Sequence, residues 1–417
     1  MRIYSKLIML CKKILRRILP YSCYDRLRTF YLRYVIGAKT KQPSLKTDAK
    51  IIDLPFGINL FIYDTNNSGG VVGRLLQATL NAVEIPYQII DLGHPERFNA
   101  EKENLMLYKI NLVVVHAASG TQAKLHLFDI DFSHHYNIAY WAWELKELPD
   151  VFCSGYEIFQ EVWAISGFCT TALEKKATIP VLTIPHCVNP DNSIIPDGRN
   201  YFHLEKDAFL FMFAYDCNSF VSRKNPQAVV KAFLKAFSPE ETHVGLILKL
   251  LYSESSQEHV DELKKLLSPY KNIYYITQFL SYEEMRTLLQ VSDAFVTLHR
   301  SEGFGLLPLE AMSLGTPVIS TEWSGNMEYM NHKNAALVGC SMVPVNGQYV
   351  GSIVGDGLMW ADPDIDEAAA YMRRMVFDQE WRESLISNGR YTANECFSAK
   401  NIGQVVADRL AFLKLKP

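Results

Sequence analysis

The sequence lacks the cysteine patterns that mark metal-binding and disulfide-rich proteins. Its eight cysteines are scattered along 417 residues, with no C-x-x-C pair and no spacing typical of a zinc site. Isolated cysteines in a chain of this size are typical of small buried side chains in a reducing compartment. We therefore expect a cytoplasmic protein without disulfides.

Long apolar runs and cofactor fingerprints are also missing. No segment approaches the roughly 18 consecutive apolar residues that a membrane-spanning helix needs, and the N-terminus lacks the long apolar stretch of a secretory signal. The glycines of residues 69–73 follow G-G-x-x-G rather than G-x-G-x-x-G. This departure disfavours a nicotinamide-dependent enzyme.

Charge is unevenly distributed, although the net charge is only −3. Residues 1–46 contain twelve Lys/Arg and one acid, whereas the remainder has a net charge of −14. Apolar residues recur at helical spacing from Met1 to Leu19, and Pro20 ends the pattern. Such a basic amphipathic helix can lie on an anionic membrane, and the alternative is a helix packed on the protein with solvated charges. Nucleic acid is not an expected partner, because the charge is not combined with stacking aromatics in a recognisable nucleic-acid-binding fold.

One stretch has the pattern of a complete βαβ unit. Ala294–Leu298 reads as a buried strand, and a glycine-containing loop follows at Ser301–Leu306. Pro308 suits the first turn of a helix that continues through Leu309–Leu314, before a second strand at Pro317–Ser320. The loop therefore lies at the carboxyl end of a strand, where open α/β sheets bind ligands.

Two carboxylates in this unit indicate the ligand. Glu302 and Glu310 are separated by seven residues, which places one at each end of a ligand lying across the helix N-terminus. A carboxylate repels phosphate but accepts two hydrogen bonds from a sugar diol. A nucleotide diphosphate sugar fits, since its ribose and hexose lie at the ends and its pyrophosphate between them. We expect the donor-binding residues to include Gly303, Phe304, Gly305, Leu306, Leu307 and Glu310.

The segment EGFGLLPLEAM closely resembles the E-x7-E signature of retaining GT-B glycosyltransferases of the family 4 type. The resemblance implies an α/β fold with two Rossmann-like, doubly wound lobes facing across a cleft. It also implies transfer with retention of configuration. The expected parts are a basic segment at 1–50, an acceptor-side lobe at 51–200, a donor-side lobe at 201–395, and a helix at 396–417 that crosses back to the first lobe.

Two cations precede a predicted helix in the second lobe. Arg223 and Lys224 stand just before Pro226, beside the positive end of that helix, which predicts a pyrophosphate site. Family members carry an Arg/Lys pair here that steadies the leaving phosphate. In many of them the arginine stands further upstream, where this chain has Asn218, so Arg223 is its expected substitute. The alternative is a solvated loop.

The first lobe offers candidates for the other side of the cleft. A glycine turn that includes Gly70 opens a predicted helix at Arg74–Val83, and its resemblance to GT-B enzymes places it near the donor phosphate. His116 follows a predicted strand at Asn111–Val115, and the family often has a histidine here that touches the donor sugar. The alternatives are a simple tight turn and a structural histidine.

Two further motifs have parallels in the family. The segment YWAWELKELPD resembles a motif of a bacterial subgroup tied to surface polysaccharides, and its Trp141, Trp143 and Glu144 are acceptor-side candidates. The alternative is a core strand with one charge at its edge. The segment TQFLSYEEM resembles the loop that meets the nucleotide base, which makes Gln278 and Phe279 candidates for base contact.

We therefore predict a metal-independent hexosyltransferase that needs no cofactor. It moves a sugar from a nucleotide diphosphate sugar to a hydroxyl of a growing glycan, such as lipopolysaccharide, capsule or exopolysaccharide. Catalysis is assigned to Glu302, Arg223, Lys224 and His116. D-x-D matches at Asp129–Asp131 and Asp362–Asp364 are short enough to arise by chance.

The expected partners are the nucleotide sugar, a glycan or lipid-linked glycan, and an anionic membrane surface contacted by residues 1–46. The expected location is the inner face of the cytoplasmic membrane, as a peripheral protein. Two rival hypotheses are a non-catalytic glycan-binding subunit of a polysaccharide assembly complex and a sugar-nucleotide epimerase built on the same lobes.

Overall fold

The computed structural model describes residues 54–63, 68–94, 108–118, 132, 135–189, 191, 193–217, 220–251, 257–345 and 357–414. The predicted amphipathic segment at 1–50 lies outside these residues, as do Asp129–Asp131 and Asn218. Their predictions therefore stay predictions. Among the helices within these ranges, none combines the length and the hydrophobicity needed to cross a membrane.

The first lobe is a parallel six-stranded sheet with the order β2-β1-β3-β4-β5-β6. All residues of β1, β3 and β5 are buried, as expected for strands covered on both faces. The strands are β1 (Ile58–Ile62), β2 (Tyr87–Asp91), β3 (Ile110–Val114), β4 (Tyr136–Trp141), β5 (Glu161–Ala164) and β6 (Val181–Thr183). The helices described in this lobe are α1 (Ser68–Asn81) and α2 (Gly167–Glu174).

Helix α1 begins earlier than its sequence pattern predicted. The helix starts at Ser68 rather than Arg74, so the glycines expected to form a turn lie inside it. Gly70 is buried in the first turn, and a methyl group at Gly73 would come within 2.8 Å of Ile62. Close packing of α1 on β1 therefore explains Gly73, and the prediction of a glycine turn over these residues was wrong.

The second lobe has a parallel six-stranded sheet with the order β12-β11-β10-β7-β8-β9. Its strands are β7 (Phe209–Asp216), β8 (Val244–Leu251), β9 (Ile273–Ile276), β10 (Ala294–Thr297), β11 (Val318–Thr321) and β12 (Ala336–Val338), and an antiparallel pair is formed by β13 (Cys340–Pro344) and β14 (Met359–Pro363). A short helix, α3 (Gly198–Tyr201), lies in the connection between the lobes, and the helices from β7 to β11 are α4 (Val221–Lys224), α5 (Pro226–Ala236), α6 (Gln257–Leu267), α7 (Tyr282–Val291) and α8 (Leu306–Leu314).

Strand order determines where ligand-binding loops meet. In the second sheet β7 and β10 are neighbours, and the chain winds away from them in opposite directions. The loops that leave their carboxyl ends therefore meet at a topological switch point, where open α/β sheets bind ligands. The neighbours β1 and β3 form the corresponding point of the first sheet. Arg223, Lys224 and Glu302 follow β7 and β10, whereas Gly70 and His116 follow β1 and β3.

The chain ends with helices α9 (Ile365–Phe377), α10 (Gln379–Tyr391) and α11 (Ala399–Lys414), and α11 lies against α1 of the first lobe. Arg409 of α11 forms an ion pair with Glu161 of β5, whose side chain is fully buried. Glu161 also accepts a hydrogen bond of 2.7 Å from the Trp163 indole. The C-terminal helix is therefore anchored to the core of the first lobe by a buried charge pair.

Candidate functional site

A tight turn presents Arg223 and Lys224 at the switch point. Both belong to the single-turn helix α4, and Asn225 follows in the left-handed conformation with φ of 55°. The Asn225 side chain donates a 3.0 Å hydrogen bond to the carbonyl of Leu298, at the end of β10. This bond ties the β7 loop to the β10 loop, so the two cations are held beside Glu302.

Glu302 lies between the two cations. Lys224 Nζ is 2.6 Å from its Oε1, and Arg223 Nη1 is 3.2 Å from its Oε2. The Arg223 guanidinium also donates a 2.8 Å hydrogen bond to the carbonyl of Ser301. Burial alone would raise the pKa of Glu302, but Lys224 and Arg223 lower it to about 2. The carboxylate is therefore ionised, and the three groups together retain one positive charge.

The first lobe brings His116 and Glu144 to the same place. His116 Nε2 lies 3.0 Å from Glu144 Oε2, and His116 Nδ1 accepts a 3.2 Å hydrogen bond from the Ala118 N–H. Because Nδ1 accepts, Nε2 carries the proton and donates to the carboxylate. Glu144 Oε1 is 4.0 Å from Arg223 Nη2. Charged and polar groups therefore run continuously from His116, across the lobe boundary, to Lys224.

The two lobes touch at the loop that carries Glu302. Ser166 caps α2 and donates a 2.6 Å hydrogen bond to the Gly303 carbonyl of the opposite lobe. The Gly167 N–H lies 2.6 Å from Glu328 Oε2. A methyl group at Gly325 would overlap the Gly303 carbonyl, so only glycine fits there. These contacts fix the backbone position of the Glu302 loop.

Helix α8 starts three residues before its predicted first position, Leu309. It begins at Leu306, directly after Gly305, whose φ of 84° favours glycine. Phe304 is buried, with its ring 5.0 Å from the His186 ring. The first N–H groups of any helix have no partner inside it, so Leu306 and Leu307 supply backbone donors at the N-terminus of α8.

Glu310 lies at the other end of the E-x7-E segment and has a different environment. Glu310 belongs to α8 and is 3% exposed, and the Tyr282 hydroxyl donates a 3.3 Å hydrogen bond to its Oε1. Burial raises the pKa of Glu310 to about 7, although Arg286 and the Tyr282 hydrogen bond lower it. The two carboxylates of the motif therefore have pKa values shifted in opposite directions.

The structure corrects the acceptor-side interpretation of two tryptophans. Trp141 and Trp143 are 0% and 1% exposed, so neither ring offers a face to a sugar. The Trp141 ring packs against Tyr156 at 5.2 Å, and the Trp143 indole donates to the Glu147 carbonyl over 2.9 Å. Both rings belong to the core of the first lobe. The Trp143 ring lies 5.7 Å from the His116 ring, but among the three candidates only Glu144 brings a charged side chain to the site.

The remaining predicted residues have defined positions. Gln278 and Phe279 follow β9, and the Phe279 side chain is 59% exposed, so its ring is accessible to a stacking base. Asp362 forms an ion pair of 2.7 Å with Arg300, and Asp364 caps α9. These two aspartates therefore have structural partners. The base-contact role of Gln278 and Phe279 stays a prediction.

Three residues near the site were not singled out in the sequence. Ser166 is the α2 cap, whereas Tyr282 and Arg286 lie behind Glu310. The sequence does contain a signal for Tyr282 and Arg286, because Ser281 and Glu284 form the S-x-x-E capping box that begins α7. That helix start puts residues 282 and 286 one turn apart on one face. Nothing in the sequence predicts that this face meets Glu310.

Sequence comparison identifies a domain in the second lobe. Residues 216–392 match the family model described as Glycosyl transferases group 1. The chain is 31% identical over 118 residues to the putative glycosyltransferase YtcC of Bacillus subtilis, which is 28% of this chain and 29% of that protein. It is 25% identical over 164 residues to human alpha-1,3/1,6-mannosyltransferase ALG2, 37% of this chain and 38% of that protein. The chain thus spans less than half the length of these curated relatives.

Comparison with solved structures extends the likeness to both lobes. Sucrose-phosphate synthase of Thermosynechococcus elongatus superposes with a TM-score of 0.64 at 14% identity, over 87% of this chain and all of that one. HepE of Anabaena, solved in complex with UDP and glucose, superposes with a TM-score of 0.60 at 14% identity, over 86% of this chain and all of that one. The predicted architecture is confirmed: the chain has the GT-B fold, and residues 216–392 of its second lobe match the Glycosyl transferases group 1 model.

Proposed function

We propose that this protein is a retaining glycosyltransferase of the family 4 type that moves a sugar from a nucleotide diphosphate sugar to a hydroxyl of a growing glycan. The observation that carries the proposal is the cluster of Arg223, Lys224 and Glu302 at the switch point, with Glu310 at the opposite end of the same loop. The group 1 match over the second lobe and the GT-B fold support the same reaction class.

The cluster suits a donor whose charge lies in its middle. The two cations and the N-terminus of α8 attract the pyrophosphate, while Glu302 accepts hydrogen bonds from the hexose hydroxyls. Glu310 accepts from the ribose hydroxyls, and the exposed Phe279 ring stacks on the base. His116, oriented by Glu144, positions the donor sugar or the acceptor.

Transfer breaks the bond between the anomeric carbon and the phosphate oxygen, and the electron pair leaves with the nucleotide. Arg223 and Lys224 stabilise the negative charge that develops on this phosphate, a role for which no metal is needed. The acceptor oxygen attacks the face from which the nucleotide departs, and its proton passes to a departing phosphate oxygen. The new glycosidic bond then retains the configuration of the donor.

The basic N-terminal segment supports a proposal for where the reaction occurs. Residues 1–46 have twelve cations and one acid, on a chain that is otherwise strongly acidic. We infer a peripheral, salt-sensitive association with anionic lipid at the inner face of the cytoplasmic membrane. A lipid-linked precursor of a surface polysaccharide, such as lipopolysaccharide or capsule, is the acceptor that fits this location.

Donor turnover tests the proposal. The full-length protein is incubated with UDP-, GDP- and ADP-sugars, and the release of free nucleotide is followed by chromatography, with EDTA in parallel samples. We expect slow release from one class of donor, unaffected by EDTA and abolished in Glu302→Gln. Glu322→Gln is the matched control, because Glu322 lies outside the cluster and its His332 pair is exposed. No release from any donor, with or without glycan acceptors, would contradict the proposal.

A further inference from the structure

A buried arginine lies behind the carboxylate that we assign to the ribose. Arg286 is 2% exposed, and its Nη1 donates to the Tyr282 hydroxyl over 3.3 Å. The same hydroxyl lies 3.3 Å from Oε1 of Glu310, which is 3% exposed. The three side chains therefore form a line that runs from the guanidinium, through a phenol, to a carboxylate.

Local structure explains how this line is built. The capping box of Ser281 and Glu284 fixes the start of α7, so Tyr282 and Arg286 lie one turn apart on the face that packs against α8. The Arg286 guanidinium is 5.7 Å from the centre of the Tyr282 ring. Both residues belong to the same helix, so their geometry toward Glu310 is set by a single rigid element.

Burial of a guanidinium needs an opposite charge nearby, since a buried ion without one is costly. Two carboxyl groups, Asp191 and Glu310, lie within electrostatic reach of Arg286, and Arg286 favours the ionised form of both. At Glu310 this effect opposes burial, which drives the carboxyl toward protonation. A protonated acid accepts fewer hydrogen bonds than a carboxylate, and an acid without a fixed partner can rotate. Both changes would weaken the hydrogen bonds between Glu310 and a ribose diol.

We propose that Tyr282 and Arg286 are positioning residues that favour the carboxylate form of Glu310 and orient it for the two ribose hydroxyls, and so set the preference for a ribonucleotide over a 2′-deoxyribonucleotide. The inference rests on the proposed function, because it requires Glu310 to meet the ribose. The hydroxyl of Tyr282 occupies one lone pair of Oε1 and leaves the other acceptor positions of the carboxylate for the diol.

The chain offers variants that separate this role from a structural one. Arg286 borders a cavity of about 490 Å³, so Arg286→Met removes the charge without forcing a clash. Arg286→Lys keeps a cation, and Tyr282→Phe removes only the hydroxyl. Gln290→Met is the matched control, since Gln290 is an exposed residue of the same helix that borders the same cavity.

The test is calorimetric titration of the full-length protein with UDP, GDP and ADP, followed by the 2′-deoxy form of the nucleotide that binds. We expect Arg286→Met to weaken ribonucleotide binding about 10- to 100-fold, the range for a hydrogen bond to a charged group, with little effect on the deoxynucleotide. Arg286→Lys restores most of the loss, Tyr282→Phe loses part of the preference, and Gln290→Met behaves as the wild type.

Two results overturn the inference while leaving the proposed function intact. One is an unchanged ribose preference in both Arg286→Met and Tyr282→Phe. The other is an equal loss for both nucleotides that Arg286→Lys does not restore, which is the signature of a merely structural residue. If the wild-type protein binds none of the three nucleotides, the proposed function fails and the inference falls with it. If Arg286→Met does not fold, Tyr282→Phe alone decides.

Discussion

Replacing Glu310 by glutamine is expected to stabilise the unliganded protein while weakening its binding of nucleotide. Burial raises the pKa of Glu310 from 4.5 to about 7, against the opposing effects of Arg286 and Tyr282. Each pKa unit is worth about 1.4 kcal/mol, so the ionised carboxylate costs the folded state about 3 kcal/mol. Glutamine has a similar shape and still accepts from the Tyr282 hydroxyl, but it has no charge to bury.

The sign follows from proton binding. The unfolded chain releases the proton of Glu310 near pH 4.5 and the folded chain near pH 7. The stability that protonated Glu310 contributes to the fold is therefore fully present below pH 4.5 and is lost as the pH rises through about 7. We expect the gain in Glu310→Gln to be about 3 kcal/mol at pH 8 and to disappear near pH 4.5.

Glu302 provides the matched opposite case within the same motif. Burial raises its pKa, but Lys224 and Arg223 outweigh burial and lower the pKa from 4.5 to about 2. This carboxylate therefore stabilises the fold above pH 4.5, and the contribution is lost as the pH falls through about 2. Glu302→Gln should lose about 3 kcal/mol at pH 8, because Arg223 and Lys224 lose their partner.

Urea unfolding of both variants at pH 8 and pH 5, followed by circular dichroism, measures these changes through the transition midpoints at equal slope. We expect Glu310→Gln to move the midpoint up and Glu302→Gln to move it down at pH 8, with a smaller upward shift for Glu310→Gln at pH 5. Shifts in the same direction at pH 8, or a destabilised Glu310→Gln, would refute the electrostatic reasoning for the motif.

Three other predictions concern turnover, the C-terminal helix and the membrane. Lys224→Met should lower turnover at least about 100-fold with only a small loss of nucleotide affinity, because the negative charge that Lys224 stabilises develops in the transition state. Steady-state kinetics measures the turnover and direct titration measures the affinity. Equal losses of turnover and affinity would contradict this role of Lys224. Arg409→Met should destabilise the protein by about 3–5 kcal/mol, because Glu161 stays buried without its cation, whereas exposed Lys400→Met on the same helix should change the free energy of unfolding by less than about 0.5 kcal/mol. Thermal unfolding compares these two variants, and equal melting temperatures would remove the anchoring role of the ion pair. Removing residues 1–46 should abolish co-sedimentation with phosphatidylglycerol vesicles at low salt, and equal binding by the full-length and shortened proteins would contradict the membrane proposal.

Much of the Glu302–Glu310 segment could be predicted from the sequence because glycine and proline constrain its backbone. Pro308 lies in the first turn of α8, Gly315 follows its last residue, and the apolar run before Glu302 is typical of a buried parallel strand. The meeting of Glu302 with Arg223 and Lys224 also follows from topology, since both loops leave neighbouring strands at the switch point.

Other features depended on packing that spacing does not record. Trp141 lies on a strand covered on both sides, so an aromatic run that suits a sugar platform is in fact core. Lys224 and Glu302 form an ion pair although they are 78 positions apart in the sequence. No local pattern predicts that Lys224 binds this carboxylate in the protein without ligand. The partnership of Arg286 with Glu310 likewise arises from helix packing rather than from sequence spacing.

The central claim, that the loop from Glu302 to Glu310 binds a nucleotide diphosphate sugar, is tested most directly by calorimetric titration with nucleoside diphosphates. UDP, GDP and ADP are titrated into the wild-type protein and into Glu310→Ala. We predict that one nucleotide binds at one site per chain, and that Glu310→Ala weakens it by about 1.5–3 kcal/mol, the worth of hydrogen bonds to a charged group. Wild-type affinity in Glu310→Ala would remove ribose binding from this residue, and no binding of any of the three nucleotides to the wild-type protein would contradict the account.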